Sequence, residues 1–141
     1  MKILIIEEES SSRTMLQDFL TLYGTCHAAS TGAEALIAVD GMLDRKDPYR
    51  LICLDITMPE QDGQAILKKI RELERQRGLN GKQAAKIVVT TTTEDPKEIT
   101  KAVVRGPGDS YLSKPLDLVQ MRELLSDFGF RPLAPGETTP A

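Results

Sequence analysis

The sequence predicts an α/β sandwich, a parallel sheet with helices on both faces. Three observations predict it. Short apolar runs of strand length alternate with longer stretches of helical apolar spacing along the chain. The runs at 50–54 and 86–91 are apolar or β-branched almost throughout, as strands buried on both faces are. Alternation of this kind places the strands in one parallel sheet with helices packed over it.

The elements follow in order. Lys2–Ile6 is an apolar strand closed by Glu7, Glu8 and Glu9. Ser10, Ser11 and Ser12 offer N-caps to a first helix, in which Met15, Leu16, Phe19, Leu20 and Tyr23 recur at helical spacing. Gly24 stops it. Residues 25–29 form a short strand. Thr31 and Glu34 fit a capping box for a second helix, with Ala35, Leu36, Val39, Met42 and Leu43 as its apolar stripe and Asp47-Pro48 as its breaker. Residues 50–54 form the third strand, ending at Asp55. A turn-rich segment, 57–63, leads to a third helix marked by Ile66, Ile70 and Leu73. The polar stretch 78–83, with Asn80-Gly81, reads as a loop. Residues 86–91 form the fourth strand. Asp95 and Pro96 suit the start of a fourth helix, to about 105, and Gly106-Pro107-Gly108 ends it. Residues 110–112 form the last strand. Leu118, Met121, Leu124, Leu125 and Phe128 mark a fifth helix.

The chain has 141 residues, enough for one self-sufficient core. Residues 1–128 are expected as that domain. Residues 129–141, with Pro132, Pro135 and Pro140 and no apolar period, are expected as a flexible tail. Net charge is −3, from 18 basic and 21 acidic residues, so no basic excess exists for nucleic acid. No apolar stretch is long enough to span a membrane, and the N-terminal run is too short for a secretion signal. Cys26 and Cys53 lack metal-type spacing and read as reduced thiols, so a cytoplasmic protein is expected. Cys53 reads as core. His27, the single histidine, reads as structural or exposed.

In doubly wound sheets the site lies outside the carboxyl ends of the strands. Those ends carry Glu7, Glu8, Asp55, Thr91 and Lys114. Clustered carboxylates need a cation, and hard oxygen donors suit Mg²⁺. A lysine beside them supplies a point charge for a phosphoryl group. Such a site suits phosphoryl transfer, where a carboxylate can act as the nucleophile.

Three motifs carry a resemblance. Asp55-Ile-Thr-Met-Pro-Glu-Gln-Asp-Gly63 matches a D-x-x-M-P-x-x-D-G pattern, Tyr111-Leu-Ser-Lys114-Pro115 follows at a suitable distance, and the acidic group after the first strand precedes Arg13. Over residues 2–128 the chain resembles the receiver domain of two-component response regulators. The resemblance implies a (βα)5, flavodoxin-like sandwich with a five-stranded parallel sheet in the order 2-1-3-4-5. It implies Asp55 as phosphoacceptor, with Mg²⁺ held by Asp55, Glu8 and the Thr57 backbone carbonyl directly and by Glu7 through water. It implies Lys114 as partner of the acyl phosphate, aided by a cis peptide bond before Pro115. Thr91 would bind the phosphoryl oxygen, and Thr91 and Tyr111 would switch on activation. A histidine kinase or histidine phosphotransfer protein would be the donor, and an effector protein would read the face of the fourth helix, fifth strand and fifth helix. A phosphorylation-dependent homodimer is left open. The chain is expected to be a stand-alone signalling protein that is no enzyme beyond its own phosphorylation and dephosphorylation, with no direct contact to nucleic acid or membrane.

Two departures from the family pattern stand out. Both members of the acidic pair are Glu, and each adds a methylene to a metal site strict in geometry. The run Thr90–Thr93 also leaves register open. Counting back from Lys114 selects Thr92, whereas the strand pattern and one extra residue in the 106–108 segment select Thr91. A different reading is a pseudo-receiver, a binding module phosphorylated poorly because of Glu7-Glu8. A haloacid-dehalogenase-type phosphatase would need a second Asp where Thr57 stands. A flavodoxin would not put glutamates where a phosphate is cradled.

Overall fold

In the computed structural model, which describes residues 1–57, 63–92 and 108–134, five parallel strands form one sheet in the order β2-β1-β3-β4-β5. The strands are β1 (Lys2–Ile6), β2 (Thr25–Ala29), β3 (Leu51–Asp55), β4 (Lys86–Thr91) and β5 (Ser110–Ser113). This is the architecture and strand order that the sequence predicts. The helices are α1 (Ser10–Leu20), α2 (Gly32–Asp44), α3 (Gly63–Gln76) and a C-terminal helix, Leu118–Asp127. The expected fourth helix at 95–105 lies outside the described residues.

Side chains alternate across each strand, so the sheet has two apolar faces. Ile3, Ile5, Leu51, Cys53, Val88 and Leu112 pack on α1 and the C-terminal helix. Leu4, Ile52, Leu54, Ile87 and Val89 pack on α2 and α3. Every residue of β3 is buried, which explains its unbroken apolar run.

Local chemistry sets the ends of the helices. Glu9, not a serine, is the N-cap of α1, and its side chain makes no capping bond to the backbone. Its carboxylate instead accepts from the hydroxyls of Ser11 and Ser12, so the three serines lie within the first turn. The Thr31 hydroxyl caps α2 as predicted, accepting from the Glu34 amide at 3.2 Å. Glu34 reaches back to the Ser30 amide at 3.3 Å. Helix α2 stops before Asp47-Pro48. Lys46 takes a left-handed φ of 58°, and the Lys46 and Asp47 amides bond the carbonyls of Leu43 and Met42.

Gly24 is required by close approach, because a Cβ there would lie 2.3 Å from the Met1 carbonyl oxygen. Past the C-terminal helix the chain runs along the domain as far as Leu133. Phe130 packs against the core, and the Leu133 amide donates to the Leu22 carbonyl at 2.7 Å. The 78–83 loop is pinned too. Buried Glu74 accepts from Arg71 at 2.8 Å and from the Ala85 amide at 2.7 Å, and Arg71 continues to Asp109 at 2.8 Å. Among the described residues, no helix is long and apolar enough to cross a membrane.

Candidate functional site

The strand ends bring Glu7, Asp55 and Lys114 together. Glu7 follows β1, and its amide still bonds the Ala29 carbonyl at 3.0 Å, which keeps it in the sheet's hydrogen-bond ladder. Asp55 is the last residue of β3 and pairs in register with Thr90. Lys114 follows β5, with its amide 2.8 Å from the Thr91 carbonyl and a cis bond to Pro115. Its ammonium lies 2.7 Å from Glu7 Oε1 and 2.9 Å from Asp55 Oδ2.

The other oxygen of Asp55 is held locally. Oδ1 accepts from the Thr57 amide at 2.8 Å and from the Thr57 hydroxyl at 2.7 Å. Sequence reasoning assigned Thr57 through its carbonyl and missed this grip. An Asp followed two residues later by Thr is the signal that could have found it, since Asp side chains bond the backbone two residues on. Gly63 supports the same turn. A Cβ on it would stand 2.5 Å from Ile56 Cα, so only glycine lets α3 begin so close behind Asp55.

These groups have unequal proton affinities. Burial pushes the Glu7 carboxyl up to about 7; Lys114 opposes the rise and the nearby Asp55 carboxylate adds to it. Burial also acts to raise Asp55, but hydrogen bonds from Thr57, Lys114 and Glu7 outweigh it and hold Asp55 below the ordinary carboxylate range. Desolvation works against the Lys114 ammonium, yet its two carboxylate partners hold its pKa above the usual value. Asp55 is therefore the ionised member, a carboxylate available as a nucleophile, and Glu7 is the member that takes up a proton.

Glu7 is 1% exposed, and its buried Oε2 has no hydrogen-bond partner among the described residues. Glu8 is on the exposed side of the turn. Arg13 secures that turn by donating to the carbonyls of Glu7 at 2.9 Å and Glu8 at 3.1 Å. Among the described residues no group of three or more acidic, His or Cys side chains is assembled for a metal. Mg²⁺ asks for only one or two carboxylates, with water filling its remaining positions. An orphaned buried carboxylate oxygen fits such a hydrated ion, because a metal-bound water is the donor it lacks.

Thr91 is fully buried and Thr92 is exposed. Thr92 lines a cleft with Lys114, Glu9, Ser12 and Met15. Thr91 pairs with Ser113, and Tyr111 with Val89, so alternation puts Thr91 and Tyr111 on one face of the sheet. Tyr111 is 43% exposed. His27 bonds the Tyr49 hydroxyl at 2.6 Å, and Cys53 is buried in the core. The motif residues Met58, Pro59 and Asp62, together with Thr93, lie outside the described residues.

Residues 3–126 match the response regulator receiver domain family. Among curated proteins, the chain is 32% identical over 125 residues to the Regulator of RpoS of Escherichia coli, covering 88% of this chain and 33% of that protein. It is 27% identical over 114 residues to a protein-glutamate methylesterase/protein-glutamine glutaminase of Sulfurimonas denitrificans, covering 81% of this chain and 30% of that one. The chain thus spans a third or less of the length of these two relatives. Among solved structures, a two-component response regulator from Clostridium difficile superposes with a TM-score of 0.72 at 28% identity, covering 91% of this chain and 95% of that one. The receiver domain of Ssk1, co-crystallised with the histidine phosphotransfer protein Ypd1 of Saccharomyces cerevisiae, gives 0.74 at 25% identity, covering 92% and 88%.

Proposed function

Since this chain belongs to the response regulator receiver domain family of two-component signalling, we propose that it accepts a phosphoryl group on Asp55. The observation that carries this reading is the division of labour on that carboxylate. Oδ1 is tied to Thr57 and Oδ2 to the Lys114 ammonium, 2.9 Å away. A carboxylate oxygen of Asp55 attacks phosphorus, the P–N bond of a phosphohistidine breaks, and the leaving imidazole takes up a proton. An acyl phosphate is left on Asp55. The donor is a histidine kinase or histidine phosphotransfer protein. Lys114 remains beside the added oxygens as a point charge.

Mg²⁺, when bound, neutralises charge on the transferring group. Asp55, the Thr57 carbonyl and Glu8 would hold it directly, and Glu7 through water. The orphaned Oε2 of Glu7 supports the last assignment. Thr91 would bind a phosphoryl oxygen. Its movement would free space on the sheet face that it shares with Tyr111 and bias an equilibrium at β5 and the C-terminal helix, for an effector protein to read. The exposed Tyr111 and Val119 support that surface.

A second reading is a pseudo-receiver. The exposed position of Glu8, away from the buried rim, favours it. Intact mass after incubation with acetyl phosphate and Mg²⁺ separates the two. Phosphoryl acceptance predicts a gain of one phosphoryl group that Asp55→Asn abolishes. No gain from the small donor or from a cognate kinase overturns it in favour of the pseudo-receiver.

A further inference from the structure

Glu7, Glu8 and Glu9 are three like side chains in a row, yet each has a different fate. Glu7 is buried at the rim and Glu8 is exposed. The Glu9 carboxylate is held beside its own helix by the hydroxyls of Ser11 and Ser12. One residue holds the backbone of all three. Arg13 Nη1 donates to the carbonyls of Glu7 at 2.9 Å and Glu8 at 3.1 Å, and the Arg13 amide donates to the Glu9 carbonyl at 3.0 Å. Three successive carbonyls thus converge on one half-buried side chain and its own amide near the start of α1. Among the described residues the guanidinium bonds main-chain oxygens and no carboxylate.

Glu7 is the most constrained of the three. Its amide donates to the Ala29 carbonyl at 3.0 Å, and its carbonyl accepts from Arg13. A residue has only two soft backbone dihedrals, and a bond on each side fixes both. The direction of its side chain follows. We propose that Arg13 is the positioning residue of the acidic rim: its clamp on the two carbonyls aims the Glu7 carboxylate at Asp55 and Lys114 and keeps Glu8 turned outward. The inference rests on the phosphoacceptor reading, in which this pair faces Mg²⁺. The charge of Arg13 acts in the opposite sense to its aim. A guanidinium near a cation site repels the cation, so by charge alone its removal tightens Mg²⁺ binding. By aim, its removal weakens binding, since groups that orient metal ligands are typically worth about ten- to a hundredfold in affinity. The sign of the change separates the two.

Calorimetric titration of the full, unphosphorylated chain with Mg²⁺ tests this, together with amide hydrogen exchange in metal-free protein. Arg13→Met keeps the side-chain stem and removes the donor. It should bind Mg²⁺ about tenfold more weakly, and its Glu7 amide should exchange faster, while amides in the centre of β3 exchange as before. Arg13→Lys should recover most of both, because a single nitrogen makes both side-chain bonds. Both variants should keep the folded circular dichroism spectrum, since Arg13 is only half-buried. Unchanged or tighter Mg²⁺ binding in Arg13→Met overturns the proposal, and so does a Glu7 amide as protected as in the wild type. A wild type that takes up neither Mg²⁺ nor a phosphoryl group defeats the phosphoacceptor reading instead, and the Glu7 amide then decides the role of Arg13 by itself.

Discussion

Lys114 and Glu7 stand 107 positions apart in the chain, yet the ammonium of one lies 2.7 Å from the buried carboxylate of the other. The same ammonium reaches Asp55 at 2.9 Å, so one cation serves two buried carboxylates. Lys114→Met removes it. Stability should fall by about 3 kcal/mol at pH 8, because the two buried carboxylates lose the cation that they share. The loss should be smaller at pH 5, where Glu7 is protonated. Urea denaturation at the two pH values measures both.

Glu7 also sets a pH dependence in metal-free protein. Its folded pKa, about 7, lies above the ordinary 4.5. Between those values the folded state binds more protons than the unfolded state, so stability falls as pH rises. The contribution is fully present below pH 4.5 and is lost as pH climbs through 7. Glu7→Gln should flatten this slope. Thermal unfolding from pH 5 to 8 gives the readout, and an unchanged slope in the variant would remove Glu7 as its source.

Gly63→Ala would place a methyl group 2.5 Å from Ile56 Cα, against backbone that cannot swing away. Overpacking of this kind costs about 1–3 kcal/mol. Because Ile56 lies between Asp55 and Thr57, the shift should also loosen the Thr57 grip on Oδ1. The expected outcome is a lower urea midpoint together with slower acetyl phosphate labelling.

Thr91 ends β4 and is buried, whereas Thr92 lies just beyond the strand and is exposed. If Thr91 binds the phosphoryl oxygen, Thr91→Ala should slow labelling of Asp55 and abolish any change in Tyr111 fluorescence on phosphorylation, whereas Thr91→Ser restores both. Thr92→Ala should change labelling little. The reverse pattern would move the role to Thr92.

Much of this was legible in the sequence because it is periodic or local. Strand and helix alternation sufficed for the sheet order, once the motifs had indicated the family. The Thr31–Glu34 cap depends on residues three apart. The start of α1 differs from the serine cap that the sequence predicts, since Glu9 competes for the serine hydroxyls that would otherwise cap it. Glu74 was not legible at all. It occupies the buried face of α3, and its partners Arg71 and Ala85, with Asp109 beyond Arg71, converge only when the loop and two strands meet. The anchoring of residues beyond 128 through Leu22 is equally non-local.

The sequence by itself determined the alternation, the rim on which chemistry is possible, and the candidate residues Asp55, Lys114 and the acidic pair. Only the tertiary structure decided between the two glutamates. They are neighbours in sequence and identical in chemistry, but the last turn of the chain out of β1 points one into the sheet's rim and the other into water. Burial beside Asp55 and Lys114 then changes what the first can do, because removing a carboxylate from water raises the cost of its charge.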